Sequence, residues 1–365
     1  MVDVDFDYAG RVSSLQERMT AEDVDIVLLS VGADLPYFTG YEAMPSERLT
    51  VFVVPSEGDA VLFVPALEAP RVDPGEFEIR PWSETESPVE LAASVASSPS
   101  KVAVGDHMWS VFLTRFQRVW TTSEWTAASE ITSALRIRKD DAEIDLLRRA
   151  AHAVDRVMAR IPHEVRFAGR SELDVARDLA DMTVEEGHDV AEFTIVAAGR
   201  NGASPHHHPG DWTIEDGDLV VCDFGGRLGG YFSDSTRTCV VGTASARQSE
   251  IHAAVLVANE AGRAAVSPGV SCEEIDRASR AVIDDAGYGP FFIHRTGHGI
   301  GLEVHEHPYV VEGNDLSLEP GMCFSVEPGI YIPDELGVRI EDIVTCTEDG
   351  VESFNQSDRG LVGVG

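Results

Sequence analysis

Apolar residues at helical spacing open the chain: Val12, Leu15 and Met19 share one face and predict an amphipathic helix over residues 11–23. Residues 25–30, Asp-Ile-Val-Leu-Leu-Ser, read as a buried strand, and 37–41, Tyr-Phe-Thr-Gly-Tyr, as a turn. Residues 49–54 and 60–64 are dense in valine, leucine and phenylalanine. They flank Ser56-Glu-Gly-Asp59 and so predict a hairpin. A further short strand is expected at 101–105. Residues 1–135 thus read as a small α/β domain.

The charged stretch 135–142 has few packing residues and predicts a domain boundary, with a second domain over 136–365. A long helix follows from Asp141 to about 161, carrying Ile144, Leu147, Ala151, Val154 and Met158 at helical spacing. A second helix starts at Ser171 with Ser-Glu-Leu-Asp, a capping-box-like opening with Asp in place of Glu or Gln. Strands and glycine-rich turns alternate from Glu192 onward, with further helices near 247–265 and 272–286. The order helix, helix, strands therefore occurs twice, which suggests an internal repeat.

Composition narrows the function. The 365 residues hold 63 Asp and Glu against 28 Lys and Arg, a formal charge of −35. A surface of that sign repels phosphate backbones and excludes nucleic acid as the main partner. No apolar run reaches the roughly 18 residues of a membrane span. The acidic start, Met-Val-Asp-Val-Asp-Phe-Asp, lacks the apolar segment of a secretory signal, so a soluble, cytoplasmic protein is expected. Only Lys101 and Lys139 are lysines; the other 26 basic residues are arginine. Acidic side chains hold water and cations at a surface, and this composition predicts adaptation to molar salt. The five cysteines (Cys222, Cys239, Cys272, Cys323 and Cys346) form no C-x-x-C and read as buried thiols, with Cys222 beside Asp223.

The chemistry lies in carboxylates that need a cation. Residues 218–238 read as strand, glycine-rich turn, strand. A turn centred between Leu228 and Gly229 sets Asp223 directly opposite Asp234, with Cβ atoms about 4.5–5.5 Å apart, where like charges repel; the pair then needs a cation or a proton, unless a slip of register sends one Asp to solvent. Alternation in 322–327 places Met322, Phe324 and Val326 on one face and Ser325 and Glu327 on the other. In 337–344, Val338 and Ile340 face away from Arg339 and Glu341. Both glutamates thus lie in apolar strands, where an unpaired carboxylate is costly. Arg339 can neutralise one acid, not four. Histidines cluster at His206, His207 and His208 and again at His294, His298, His305 and His307. Two Asp, two Glu and one His carry −4, which two divalent ions balance. Such donors suit manganese, iron, cobalt or zinc. Two ions about 3.5–4 Å apart hold a hydroxide and polarise a carbonyl, which is hydrolase chemistry.

These segments resemble a known family. Cys-Asp223-Phe-Gly, Ser-Asp234-Ser-Thr-Arg, Gly-His298-Gly-Ile-Gly, Val-Glu327-Pro-Gly-Ile-Tyr and Val-Arg-Ile-Glu341-Asp are similar to the ligand motifs of the pita-bread metallopeptidases. Within that family they most resemble Xaa-Pro aminopeptidases and Xaa-Pro dipeptidases (prolidases). The resemblance implies an α+β chain: a C-terminal pita-bread domain behind a smaller N-terminal α/β creatinase-like domain. It implies two divalent ions per chain, manganese first, with cobalt, zinc or iron as alternatives. Asp223 would chelate one ion, Asp234 and Glu341 would bridge both, and His298 and Glu327 would bind the other. A bridging hydroxide would then attack the scissile carbonyl, with Glu327 as proton shuttle. His206 and His305 match substrate-contacting histidines, with His207 or His208 as alternatives to His206. His294, Tyr331 and Arg339 match further substrate or supporting positions. Short proline-containing peptides would be the substrates and a homodimer the assembly.

Three other readings remain at this point. A methionine aminopeptidase shares the ligands but lacks the N-terminal domain. A lyase or other non-peptidase could use the same scaffold. A non-enzymatic interaction protein would be expected to have lost ligands, and all five stand. Dipeptidase and aminopeptidase differ in whether an arginine, Arg295 or Arg339, reads the substrate's free carboxylate.

Overall fold

The computed structural model describes residues 6–365 except 74 and 76. They form two compact units, one ending at Arg136 and the other spanning Ile137–Gly365. In the first unit a mixed sheet runs Glu78–Trp82, Val61–Pro65, Val51–Pro55, Ile26–Leu29, Lys101–Val104, Glu124–Ala127 from edge to edge. Its inner strands are covered on both faces, so they are continuously apolar rather than alternating. Val51–Pro55 and Val61–Pro65 pair antiparallel across the 56–60 turn.

The first helix is Tyr8–Ala21 and buries Val12, Leu15 and Met19. It begins before residue 11 because Asp7 caps it, accepting from Gly10 N. The turn expected at 37–41 is instead the end of a helix, Asp34–Thr39. Pro36 is tolerated in its first turn, and Gly40 stops it in the left-handed region at φ 69°.

In the second unit the long helix Asp141–Glu164 opens with a full capping box between Asp140 and Glu143. It buries Leu147, Ala151, Val154 and Met158 and leaves Ile144 half-buried. The helices Glu172–Glu185, Ala246–Ala264 and Cys272–Asp285 complete two helix pairs. The two halves repeat in detail. Ser171 and Ser271 cap the second helix of each pair, and each makes an isolated bridge to a later segment, at Thr213 and Ser317. Gly169 and Gly269, both at positive φ, donate to Ile214 and Leu318; Glu172 and Cys272 donate to Trp212 and Leu316.

Each half supplies a sheet. One orders Val362–Val364, Ser235–Val241, Leu219–Leu228, Val190–Ala198; the other Glu306–Val310, Gly297–Gly299, Cys323–Val326, Asp342–Thr347, Gly350–Ser353. The single strand expected over 337–344 is split. Leu336–Arg339 pairs with Gly329–Ile332 in a separate ribbon, and Asp342–Thr347 joins the second sheet. Ile340 and Glu341 are the crossing between them. Ile340 anchors it in an apolar cluster with Val338 and Ile330, leaving Glu341 free to face the other way. Among the described residues, no helix is long and apolar enough to cross a membrane.

Candidate metal centre

Asp223 does not face Asp234. It lies opposite Thr236, because the hairpin turns at Gly229 and Gly230, both at positive φ (59° and 87°). Two such residues make the tight turn that matches strand twist, so Leu228 pairs with Tyr231 and the register moves by two. A shift of two keeps side chains on their face. Asp223 and Asp234 are therefore diagonal neighbours on one surface. Gly225 permits the close approach there: a Cβ would lie 1.9 Å from the Ser233 carbonyl oxygen.

Glu327 follows the strand Cys323–Val326, Glu341 occupies the crossing at the end of Leu336–Arg339, and His298 lies in the short strand Gly297–Gly299. Asp234, His298 and Glu341 each offer a ligand atom, all within 4.8 Å of one another, and all three residues are buried. His298 Nε2 lies 3.2 Å from Glu327 Oε1 and 3.7 Å from Asp234 Oδ2. Its Nδ1 faces the Gly299 carbonyl at 3.1 Å, which can only accept, so Nδ1 carries the hydrogen. The Nε2 lone pair thus points at carboxylates, an arrangement that requires a proton or a metal ion between them.

Two orphaned atoms fit a metal. Asp223 Oδ2 accepts from Arg339 Nη2 at 2.6 Å, while Oδ1 is buried with no partner. Glu341 Oε2 accepts from the Thr236 hydroxyl at 2.7 Å, while Oε1 is buried with no partner. A buried carboxylate oxygen left alone is costly, and a cation removes the cost for both. An oxygen-rich donor set with one imidazole suits a hard or borderline divalent ion.

Burial pushes Asp234 and Glu341 well above the carboxylate range, and the surrounding acids push them further. Burial raises Asp223 too, against the opposing charge of Arg339. Glu327 goes the other way: burial would raise it, but the hydrogen bond and charge of His298 prevail and hold it at about 2. Burial takes His305 down to about 4 and also lowers His294, so both rings are uncharged at neutral pH.

The five candidate ligands line a cavity of about 920 Å³ together with Phe193, Ile195, Phe232 and Val304. His206, His294, Arg295, His305 and Arg339 line it as well. His207 and His208 also reach the wall, but His207 is held from behind by the fully buried Glu172 at 2.7 Å. His206 lies close enough to His294 and His305 to act on their charge states. Tyr331 is buried and donates to His294 Nε2 at 2.8 Å while accepting from Arg339 Nη1 at 2.8 Å. His294 Nδ1 donates to the Arg295 carbonyl at 2.7 Å, so both its ring nitrogens are engaged.

The sequence assigns no role to Thr236, Ser325 or Glu172. The Thr236 hydroxyl accepts from Arg339 Nε at 2.9 Å and donates to Glu341. Ser325 donates to Glu327 Oε1 at 3.1 Å and accepts from His298 N at 3.0 Å. Alternation was the available signal for the first two, since each lies two residues from a ligand on its face. Glu172 had none beyond its place in a helix start.

Comparison with known proteins identifies the family. Residues 145–348 match metallopeptidase family M24, and residues 11–138 match the creatinase/prolidase N-terminal domain. The chain is 42% identical to a probable dipeptidase PepE of Mycobacterium tuberculosis, covering 97% of this chain and 96% of that one. It is 36% identical to an Xaa-Pro dipeptidase of Lactobacillus helveticus, over 96% and 98% of the two chains. A recombinant prolidase from Thermococcus sibiricus superposes with a TM-score of 0.94 at 34% identity, covering 99% of this chain and all of that one. The chain belongs to metallopeptidase family M24, a pita-bread domain preceded by a creatinase-type N-terminal domain.

Proposed function

We propose that the chain hydrolyses the peptide bond before proline in short peptides, with Xaa-Pro dipeptides as its preferred substrates. The observation that carries this reading is the meeting of Asp223, Asp234, His298, Glu327 and Glu341 at one cavity, with Asp223 Oδ1 and Glu341 Oε1 orphaned. These five residues would hold two divalent ions, manganese first. When bound, the ions supply Lewis acidity and a nucleophile from water at neutral pH. Four carboxylates against the Arg339 guanidinium leave −3, which two divalent ions turn to +1. That balance favours an anionic group in the cavity.

His305, uncharged at neutral pH, can donate to the substrate carbonyl as negative charge develops on it. His206 lines the same cavity and offers a second ring N–H to the substrate. Phe193, Ile195, Phe232 and Val304 give an apolar lining suited to the proline ring and an apolar first residue. Two arginines line the cavity among the described residues. Arg339 is engaged with Asp223, Thr236 and Tyr331, which leaves Arg295, stacked 4.3 Å over Tyr309, to receive a free carboxylate. The relative named as an Xaa-Pro dipeptidase supports the same choice.

The test is hydrolysis of Ala-Pro and Ala-Pro-Ala by protein loaded with manganese or cobalt, with Asp234→Ala as control. Cleavage of the dipeptide, lost in Asp234→Ala and weakened in Arg295→Gln, is expected. Cleavage of the tripeptide alone overturns the dipeptide preference, and cleavage of neither overturns the substrate class.

A further inference from the structure

We infer that the buried ion pair between Lys139 and Glu306 is a positioning device that holds His305 in place at the cavity; the inference rests on the proposed contact of His305 with substrate. Lys139 is one of two lysines in a chain that otherwise uses arginine. Its side chain is 1% exposed and its ammonium bonds Glu306 Oε1, itself 7% exposed. A fully desolvated pair is costly to form, and removing the ammonium takes from Glu306 Oε1 the cation that it bonds.

The pair is clamped from both sides. Lys139 N donates to the Gly321 carbonyl at 2.8 Å, and a Cβ on Gly321 would lie 2.9 Å from Lys139 O. Gly301 leaves room for the carboxylate, since a Cβ there would lie 2.6 Å from Glu306 Oε1. Cys323 is buried nearby, within electrostatic reach of both charges.

What the pair holds is the end of an irregular segment. Residues 301–305 form neither helix nor strand, and the strand Glu306–Val310 begins at the anchored glutamate. Glu306 pairs with Gly299, at the register shift that follows His298. The Glu306 side chain is buried, while His305, the residue before it, is exposed and lines the cavity. The His305 ring meets the His298 ring edge-on, centroids 4.2 Å apart. Glu306 thus fixes the backbone that aims His305, and Lys139 fixes Glu306.

Two measurements test this. In manganese-loaded protein of unchanged metal content, Glu306→Gln and Lys139→Met are expected to lower kcat on Ala-Pro by about 100-fold, the scale of a 1 Å misplacement. In a His305→Ala background the added Glu306→Gln change should alter kcat by less than about twofold, because both act through one ring. Multiplying effects, a wild-type kcat in Glu306→Gln, or a wild-type kcat in His305→Ala overturns the proposal. Amide hydrogen exchange reads the same anchor without substrate. Residues 302–306 should exchange about tenfold faster in Glu306→Gln, with the helices unchanged. Unchanged exchange overturns the anchor even if the protein cleaves no Xaa-Pro peptide. Faster exchange in a protein inactive on Ala-Pro would sustain the anchor and sink the substrate assignment alone.

Discussion

Arg339 Nη2 donates to Asp223 Oδ2 at 2.6 Å, and the same guanidinium reaches the Thr236 hydroxyl and the Tyr331 hydroxyl through its other nitrogens. It is the one cation that directly bonds the carboxylate cluster among the described hydrogen bonds, and it is 3% exposed. Removing one partner of a buried pair costs about 3–5 kcal/mol, because the remaining charge is stranded. Arg339→Gln should therefore lower the melting temperature and weaken retention of the ion that Asp223 is proposed to hold, read by metal analysis after dialysis. Arg339→Lys should recover only part of the loss, since an ammonium cannot reach three partners in a plane. Full metal retention in Arg339→Gln would show that Asp223 does not depend on the guanidinium.

Removing metal should make stability depend on pH in a specific direction. Burial raises Asp223 above its ordinary value in the metal-free protein, and Asp234 and Glu341 well above theirs. A raised acid contributes stability that is present below its unfolded pKa and is lost as pH rises through the folded value. Glu327, held at about 2, has the opposite sign: its contribution is present above its unfolded pKa and disappears only towards pH 2. Above the ordinary carboxylate range the three raised groups decide the slope. The gap in melting temperature between manganese-loaded and chelated protein should widen as pH rises there. A constant or narrowing gap would remove Asp234 and Glu341 from the metal set. Comparing the two forms at each pH cancels the background of −35.

Tyr331 is a link rather than a wall. Arg339 donates to its hydroxyl, which donates to His294, which donates to the Arg295 carbonyl. Burial pushes the phenol up to about 12, so it keeps its proton at any working pH. Tyr331→Phe breaks the chain at its centre and should cost about 1–3 kcal/mol of stability. Kinetically, KM on Ala-Pro should rise with kcat little changed, because the ring of His294 loses its fixed orientation. A fall of kcat to the level of Asp234→Ala would mean that the hydroxyl acts on substrate directly.

The parts legible in the sequence share a local cause. Val12, Leu15 and Met19 are readable because period 3.6 is a property of neighbouring residues, and Asp223 because a carboxylate is costly in Leu-Val-Val-Cys-Asp-Phe. Register was not legible, since Gly225, Gly226, Gly229 and Gly230 offer several turn positions and only packing selects one. The helix Asp34–Thr39 is too short for its period to show. Glu327 and Glu341 were found as acids in apolar runs, but both occupy strand ends: Glu327 follows Cys323–Val326, and Glu341 lies where the chain changes sheets after Leu336–Arg339. The supporting pairs, Glu172 with His207 and Lys139 with Glu306, join residues 35 and 167 positions apart. No local pattern marks such partners; the fold brings them together.

Salt should stabilise this protein, although salt weakens the contacts most visible on its surface. Arg160 alone meets Glu164, Glu185 and Glu186. Exposed pairs of this kind contribute about 0–1 kcal/mol each and are screened by added ions. With 63 acids and 28 basic residues, complete pairing would still leave 35 carboxylates without a cationic partner. Their mutual repulsion acts over about 10 Å at 0.1 M salt and about 3 Å at 1 M. The long-range repulsion therefore loses more on salt addition than the short-range pairs do. The melting temperature should climb continuously between 0.1 and 3 M KCl, with metal loading held constant. An equal osmolarity of sucrose, which leaves the charges unscreened, should give a smaller rise. A flat or falling curve in KCl would mean that the arginine pairs outweigh the unpaired acids and that the acidic composition is no adaptation to salt.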